Sequence, residues 1–318
     1  MAKIALIAGV TGQDGAYLAH HLLSMGYRVV GTSRDAHMAD SSRLERLGIL
    51  GDLELISLAP NDFRSVLKVV SSVQPHEIYN LAGQTSVGLS FEQPVECMES
   101  ISVAALNLLE VIRYLGCGIR FFTAGSSECF GDTGQTPATE NTPLRPRSPY
   151  AVAKAAAYWQ VSTYREAYEM YACTGILANH ESPLRPKRFV TQKIIEGVQK
   201  IKAGDASYIR LGNLDVWRDW GWAPDYVKAM HLMLQPQQPS DYLIASGTTT
   251  SLRQFAQETF NLANLELIDY LESVDLYKRP ADLSYSAINP QLIETNLGWS
   301  SKRSIHEIVA KMYHNELF

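Results

Sequence analysis

Over the first 180 residues of this chain, two patterns of apolar and polar positions take turns: short apolar runs, and longer segments with regularly spaced apolar residues. Short apolar runs rich in β-branched residues have the length and composition of buried strands. The longer segments between them repeat their apolar residues at a helical spacing, as in AYLAHHLLSMG and VAALNLLEVIRYLG. This alternation is typical of βαβ units and predicts a parallel, doubly wound sheet. The predicted strands are KIALIAG, YRVVGTS, LELISL, EIYNLAG, IRFFTAG and TGILANH.

The pattern loosens after residue 180, where polar loops and turn-rich stretches separate shorter elements before a last amphipathic helix. We therefore predict an α/β protein with a Rossmann-type, doubly wound parallel sheet over residues 1–180. Residues 181–318 are predicted to form mainly a smaller C-terminal α/β substrate-binding domain. Some of its segments are expected to return to the first domain.

Charge and cysteine content exclude several classes of function. The 318 residues carry a net charge of -5, so they offer no basic field for nucleic acid or an anionic membrane. The four cysteines are too sparse for a disulfide framework and lack paired zinc spacing, and we expect them to be reduced. The chain opens without a signal-like segment, and no apolar run approaches the roughly 20 residues of a membrane span. These features predict a cytoplasmic protein.

A glycine-rich loop follows the first predicted strand, in the segment GVTGQDGAYL. Gly9, Gly12 and Gly15 allow the backbone to turn tightly and approach a pyrophosphate. The helix that follows directs its free N–H groups and its positive dipole end towards the same place. The G-x-x-G-x-x-G spacing is the form that short-chain dehydrogenases use, so the loop predicts a nicotinamide cofactor.

The end of the second predicted strand bears on the choice between NADP and NAD. An acidic residue there binds the ribose 2′-hydroxyl of NAD, whereas an arginine accommodates the 2′-phosphate of NADP. Here Thr32 and Ser33 are neutral and Arg34 follows, which favours NADP. Asp35 stands beside Arg34 and keeps NAD as the alternative.

A tyrosine and a lysine stand four residues apart in RSPYAVAK, at the start of a predicted helix. Tyr150 and Lys154 therefore share a helix face. A phenol near a cationic lysine and a positive nicotinamide ring is expected to titrate below its usual range and to act as a base on a sugar hydroxyl. The strand end TAGSSECFGD would bring Ser126 to the same pocket.

These motifs resemble the extended short-chain dehydrogenase/reductases, and within them the GDP-mannose 4,6-dehydratase family. The resemblance covers nearly the whole chain, and NHESP followed by FVT is its most specific part. The other similar runs are GVTGQDGAYL, QPHEIYNLAGQTSVGLSFEQP, SSECFG, RSPYAVAK, YREAYEMYACTGIL, LGNLDVWRDWG and KRPADL.

The resemblance implies a lyase that removes water from GDP-mannose. Oxidation of C4 to a ketone makes the C5 hydrogen acidic, elimination then releases the 6-hydroxyl, and hydride returns to C6. In these roles Ser126 would hydrogen-bond the 4-oxygen, and Glu128 would be the acid/base of the elimination. Tyr150 would be the base at the 4-hydroxyl. Lys154 would adjust the acidity of Tyr150 and bind the ribose of the cofactor.

The resemblance also implies the ligand contacts. Those to NADP would come from Gly9, Thr11, Gly12, Gln13, Asp14, Gly15, Arg34, Leu81, Ala82, Gly83, Tyr150 and Lys154. Those to the GDP-sugar would come from Ser86, Ser127, Asn179, Val190, Lys193, Arg218 and Arg279. No metal site is predicted. A homodimer or homotetramer is expected, formed through the two long helices near Tyr150 and Leu115.

Several positions depart from the family pattern and leave alternatives open. Residues 186–188 stand where relatives carry glycine and often an acidic residue, and Gln192 replaces an arginine. A related GDP-sugar such as GDP-manno-heptose is therefore an alternative substrate. A GDP-4-keto-6-deoxymannose reductase is another alternative, because TAGSSE and LRPRSPY also resemble that enzyme. The departures at Asp35 and Ala59 keep a non-catalytic cofactor-binding protein open.

Overall fold

The computed structural model describes residues 2–273 and 281–318. Its strands are β1 Ile4–Ala8, β2 Arg28–Ser33, β3 Glu54–Ser57, β4 Glu77–Asn80, β5 Arg120–Ser126, β6 Ala172–Leu177, β7 Asn179–Glu181, β8 Ile209–Leu211, β9 Trp217–Trp222, β10 Tyr242–Ile244, β11 Thr249–Ser251, β12 Leu271–Ser273 and β13 Tyr285–Ser286. Seven of them form one sheet in the order β10-β6-β5-β4-β1-β2-β3, and every neighbouring pair is parallel. This order confirms the predicted doubly wound sheet.

The helices connect these strands or pack around them. They are α1 Gln13–Ser24, α2 Ser42–Arg46, α3 Phe63–Val73, α4 Val87–Glu92, α5 Pro94–Met98, α6 Ala104–Leu115, α7 Pro149–Tyr168, α8 Val190–Ala203, α9 Ala223–Met233, α10 Leu252–Ala263, α11 Leu267–Tyr270, α12 Gln291–Leu297 and α13 Ile305–Tyr313. A π-helical turn at Glu99–Val103 joins α5 to α6. Within the described ranges, none of these helices combines the length and apolar character needed to cross a membrane.

The sheet is buried on both faces, which explains its continuous apolar runs. In β1, Ala5 and Ile7 pack into the core formed with α1 and α9. Leu6 and Ala8 point the other way, into the core formed with α3 and α6. Successive side chains of a strand point to opposite faces, so each strand supplies both cores.

The C-terminal part has a core of its own. Helices α8, α10 and α13 pack together with β9 around Trp222 and Phe255, both fully buried. Strand β9 pairs with β11, β13 and β7, and β8 pairs with β12. Two later elements return to the first sheet, because β10 pairs with β6 and α9 packs against α1. The division into domains near residue 180 stays a prediction.

The last predicted strand, TGILANH, is wrong as one element. Strand β6 ends at Leu177 in the large sheet, and β7 begins at Asn179 in the small one. Ala178 alone joins them, and its N–H donates to the carbonyl oxygen of Ile244 at 2.9 Å. The chain therefore crosses from one sheet to the other within one residue, at the carboxyl edge where doubly wound sheets bind ligands.

Candidate active site

The glycine-rich segment runs from the end of β1 into the first turn of α1 and leaves no room for a side chain at Gly9 or Gly15. Gly9 has a φ of +86°, and a Cβ there would lie 3.0 Å from backbone atoms of Ala82. A Cβ at Gly15 would lie 2.3 Å from the carbonyl oxygen of Gly9. Helix α1 begins at Gln13 without a side-chain cap, so the N–H groups of its first turn keep their capacity to bind an anion.

Two side chains of this loop turn towards β7. The Nε2 group of Gln13 donates to Asp14 at 3.0 Å and to the carbonyl of His180 at 3.2 Å, and its Oε1 accepts from Ser182 at 2.8 Å. The His180 imidazole lies 2.7 Å from the carbonyl of Ala178 and 2.8 Å from the Asp14 carboxylate. Both of those oxygens can only accept, so both imidazole nitrogens must donate.

This arrangement makes Asp14 and His180 an ion pair. Burial opposes ionisation of Asp14, but the charge and hydrogen bond of His180 hold the pKa of that carboxyl at about 2. Burial likewise acts against the imidazolium, yet the charge of Asp14 raises the pKa of His180 above its ordinary value. The pair fixes the glycine loop to the strand that begins the C-terminal part.

Tyr150 and Lys154 lie on the first turns of α7, whose start follows from local sequence. Ser148 caps the helix by accepting from the N–H of Ala151, and Pro149 occupies its first turn. The ammonium of Lys154 donates to the carbonyl of Ala124 at 2.6 Å and lies 5.8 Å from the centre of the Tyr150 ring. Burial lowers the pKa of Lys154 to about 8.

The protein groups alone do not lower the pKa of Tyr150, so the lowering expected beside a bound nicotinamide ring stays a prediction. Burial raises the pKa of this phenol, and a hydrogen bond with Ser126 opposes the rise only in part. The sequence pattern placed Lys154 on the correct helix face. It could not show that the ammonium is drawn to the Ala124 carbonyl on β5.

Glu128 and Arg218 meet across the site from two different parts of the fold. Glu128 lies on the 3-10 turn Ser127–Phe130 that follows β5, and its N–H donates to the Ser126 hydroxyl at 3.3 Å. The Nε atom of Arg218, on β9, lies 3.9 Å from the Glu128 carboxylate. Its Nη2 lies 3.3 Å from Asp282, and its Nη1 donates to the carbonyl of Trp217.

A cavity of about 580 Å³ gathers many of the predicted residues at the carboxyl edge of the sheet. Its wall includes the predicted catalytic residues Ser126, Glu128, Tyr150 and Lys154. It also includes the predicted ligand contacts Asp14, Leu81, Ser86, Ser127, Asn179, Val190, Lys193 and Arg218. Arg279 lies outside the residues that the structure describes.

Other predicted cofactor residues lie away from that wall. Ala82 packs against Gly9, and Gly83 packs against Ile101. The exposed guanidinium of Arg34 lies 3.6 Å from the Glu96 carboxylate on α5. The Asp35 carboxylate accepts from the N–H groups of residues 37 and 38 and so closes its own turn.

Sequence reasoning missed a basic and aromatic group after NHESP. Arg185 and Arg188 both line the cavity, with their guanidinium carbons 4.0 and 5.4 Å from the centre of the Phe189 ring. Arg210 and Asn213 line it as well. The run PLRPKRF, which begins at the last residue of NHESP, was the signal that pointed to Arg185 and Arg188.

The positions that depart from the family pattern behave differently from one another. Lys187 is exposed and pairs with Glu196 at 3.0 Å. Gln192 is buried and donates to the carbonyl of Ser182 at 2.9 Å.

All four cysteines are free. Among the described residues, no group of three His, Cys, Asp or Glu side chains could hold a metal ion.

Comparison with known proteins places this geometry in context. Residues 6–312 match the family described as GDP-mannose 4,6 dehydratase. The GDP-mannose 4,6 dehydratase of Drosophila melanogaster is 41% identical over 98% of this chain and 85% of that protein. The GDP-mannose 4,6-dehydratase of Vibrio cholerae is 38% identical over 100% of this chain and 94% of that protein.

The fold is also found in solved structures of low sequence identity. The UDP-glucose 4-epimerase of Thermotoga maritima with UDP-glucose has a TM-score of 0.87 and 19% identity, covering 98% of both chains. At this level of identity, the likeness confirms the fold.

Proposed function

The chain belongs to the GDP-mannose 4,6-dehydratase family, and we propose that it removes water from GDP-mannose to give GDP-4-keto-6-deoxymannose. One observation carries this proposal: the carboxylate of Glu128 lies in the wall of the same cavity as Ser126 and Tyr150. A simple dehydrogenase needs the hydroxyl and the phenol, but it does not need an acid/base at C5. The carboxylate therefore favours a dehydratase over a simple dehydrogenase, and the match of residues 6–312 to the GDP-mannose 4,6 dehydratase family favours it over the alternative reductase.

The residues present fit a dinucleotide cofactor. Any side chain at Gly9 or Gly15 would meet backbone, and the uncapped first turn of α1 suits a pyrophosphate. When bound, a nicotinamide cofactor accepts hydride from C4 and later supplies it to C6. In keeping with this, the dTDP-glucose 4,6-dehydratase of Bacillus anthracis, solved in complex with NAD, shares the fold at a TM-score of 0.85 and 18% identity.

Tyr150 is proposed to take the proton of the 4-hydroxyl. Because burial raises its pKa, the phenol is protonated in the protein alone at neutral pH. The positive nicotinamide ring of a bound cofactor would favour the phenolate form of Tyr150. The Ser126 hydroxyl hydrogen-bonds the same phenol oxygen. Lys154, whose pKa burial lowers to about 8, is proposed to anchor a ribose hydroxyl.

Glu128 is proposed to carry the elimination. The C5 hydrogen becomes acidic only when C4 is a ketone, so the carboxylate acts after the oxidation. It removes the C5 proton and returns it to the departing 6-hydroxyl as water leaves. A short turn after β5 holds this side chain, so its position depends on the rigid sheet.

NADP is the cofactor that we propose. Arg34 is the charged group at the end of β2, and the Asp35 carboxylate is engaged in its own turn. Arg34 is thus suited to a 2′-phosphate. The nearby Glu96 carboxylate, 3.6 Å from Arg34, weakens that attraction without removing it.

The nucleotide end of the substrate is proposed to lie among the cations of the C-terminal part. Asn179 and Arg218 are assigned to the diphosphate, and Val190 and Lys193 to the base, as the resemblance implies. Arg185 joins this group because it lines the same cavity. Arginine forks suit phosphate oxygens in two-point contacts.

Incubation with GDP-mannose and a catalytic amount of NADP tests the proposal. The expected product has lost one water, and no net reduced cofactor is consumed or formed. A reductase would instead consume NADPH in proportion to product. Unchanged GDP-mannose under saturating cofactor would refute the proposal, and other GDP-sugars in the same assay would then identify the substrate.

A further inference from the structure

The contact between Arg218 and Glu128 links the diphosphate end of the proposed substrate to the proton-transfer end. Arg218 lies on β9, where its backbone is paired with Thr250 of β11 and with Ser286 of β13. Its side chain is only 7% exposed. A guanidinium held in this way keeps its charge and has little freedom to swing out.

Among the described residues, β9, α7 and the turn that carries Glu128 itself supply groups that interact with its carboxylate. Arg218 on β9 approaches it at 3.9 Å. Tyr150 on α7 and Cys129 on its own turn also interact with it electrostatically, but burial raises the pKa of both, so they are neutral at physiological pH. Asp282 lies on the far side of the guanidinium, 3.3 Å from Nη2. Arg218 is thus a fixed cation beside Glu128.

A cation at this distance favours the ionised carboxylate, which is the form that removes a proton. A diphosphate that binds Arg218 takes hydrogen bonds from the same guanidinium and offsets its charge. The carboxylate is then less stabilised and becomes a stronger base. This change would coincide with arrival of the sugar at the catalytic residues.

We propose that Arg218 is a positioning residue for Glu128. In the free enzyme its guanidinium keeps the Glu128 carboxylate ionised and oriented. When the substrate diphosphate binds Arg218, it offsets the charge of the guanidinium, and the ionised carboxylate is stabilised less. This inference rests on the proposed dehydratase function. It adds to diphosphate binding by Arg218 a second effect, on proton transfer at C5. Two groups far apart on the substrate are thereby coupled through one side chain.

The test compares Arg218→Gln with Lys193→Gln, which removes a cation from the cavity wall on α8. Elimination is followed by the pH dependence of kcat/KM and kcat and by exchange of the C5 hydrogen in deuterated water. Each pH–rate profile has limbs where the rate falls as a group titrates, and the limb that Glu128→Gln abolishes is assigned to Glu128. In the wild type this limb is expected at lower pH in kcat/KM, which reports the free enzyme, than in kcat.

In Arg218→Gln, the limb in kcat/KM should move up by about one pH unit and approach the limb in kcat. Lys193→Gln should raise KM for GDP-mannose and leave both limbs in place. If Arg218→Gln raises KM with unmoved limbs, Arg218 only binds the diphosphate and the inference is wrong. Failure of the wild type to dehydrate GDP-mannose would instead overturn the proposed function.

A second variant keeps the inference testable if Arg218→Gln does not fold. Asp282→Asn retains the guanidinium and removes the carboxylate that competes for it. The Glu128 limb in kcat/KM should then move to lower pH, opposite to the change in Arg218→Gln. A limb that stays in place in Asp282→Asn would contradict the proposal, provided that circular dichroism and cofactor binding match the wild type.

Discussion

The imidazole of His180 lies 2.8 Å from the carboxylate of Asp14 and fixes the glycine loop to the first strand of the C-terminal part. The two residues are 166 positions apart in the chain. His180 stacks on Tyr226, whose ring centre lies 4.8 Å away. A residue of the loop that is proposed to hold the cofactor is thereby tied to a strand that lines the proposed sugar site.

The first prediction concerns the pH dependence of this pair. The lowered pKa of Asp14 gives stability that is present above its unfolded value of 3.8 and is lost as pH falls towards about 2. The raised pKa of His180 gives stability that is present below its unfolded value of 6.5 and is lost as pH rises through the folded pKa. The pair therefore stabilises the fold most between about pH 4 and 6.5.

Asp14→Asn should lower the free energy of unfolding in urea by about 3 kcal/mol at pH 6 and by less at pH 9. Asp40→Asn is the control, because Asp40 is an exposed aspartate 4.0 Å from Arg43. Its effect should stay below about 1 kcal/mol at both pH values. Equal losses in Asp14→Asn at the two pH values would contradict the ion pair.

The second prediction separates the two halves of the proposed reaction. Glu128→Gln keeps the shape of the side chain but cannot accept the C5 proton. Overall dehydration should fall roughly 10² to 10⁴-fold, whereas bound reduced cofactor should still form in a single turnover. Tyr150→Phe should suppress even that first oxidation. Wild-type turnover by Glu128→Gln would remove Glu128 from the mechanism.

The third prediction concerns cofactor choice. Arg34→Ala should weaken NADP by about 10- to 100-fold, as expected for loss of a charged hydrogen bond, and should leave NAD nearly unchanged. Glu96→Gln should strengthen NADP, because it removes the carboxylate 3.6 Å from Arg34. Fluorescence titration of both cofactors against both variants measures this. An equal loss of NADP and NAD in Arg34→Ala would show that Arg34 does not contact the 2′-phosphate.

The fourth prediction tests the fit of the glycine loop. Gly15→Ala places a Cβ 2.3 Å from the carbonyl oxygen of Gly9, so the helix start or the loop must shift. We expect a stability loss of about 1 to 3 kcal/mol and weaker binding of either cofactor. Gly51→Ala is the matched control, because no heavy atom lies within 4 Å of a Cβ there. Thermal unfolding with and without cofactor distinguishes the two variants.

The fifth prediction concerns assembly, for which we propose a homodimer. Helices α6 and α7 expose several large apolar side chains, among them Tyr114, Trp159 and Tyr168. Trp159→Glu should yield monomers in sedimentation at micromolar concentration, because a charge would be buried in the interface. Ile268→Glu is the control, since Ile268 is 87% exposed on α11. A wild type that sediments as a monomer would refute the dimer.

Sequence periodicity predicted most of the large sheet because its strands are buried on both faces and its helices carry clear apolar stripes. The break at Ala178 was missed because β6 pairs with β5 and β10 whereas β7 pairs with β9, and local composition does not show this change of partners. The run PLRPKRF showed the arginines at 185 and 188 as a basic cluster, but it could not show that they line the site. Only the fold shows that the loop after β7 turns back over the cavity.

The positions of the predicted site residues around one cavity agreed with the structure better than the expected electrostatics did. Spacing places Tyr150 and Lys154 on one helix face, but the acidity of each depends on burial and on carbonyl groups contributed by β5. The Asp14–His180 pair likewise joins two motifs that the sequence presents separately. Interactions between distant segments are the part that local patterns cannot supply.

The single residue between β6 and β7 has a consequence for how this protein can evolve. Alternate residues of a strand face opposite sides, so one inserted or deleted residue at Ala178 would exchange the directions of Asn179 and His180. The His180 imidazole would then turn away from Asp14, and the ion pair would be lost even if every original amino acid were kept. In homologues that retain this chemistry, we therefore expect amino-acid substitutions around Ala178 and no insertions or deletions there. An alignment gap at this position would mark a change of activity.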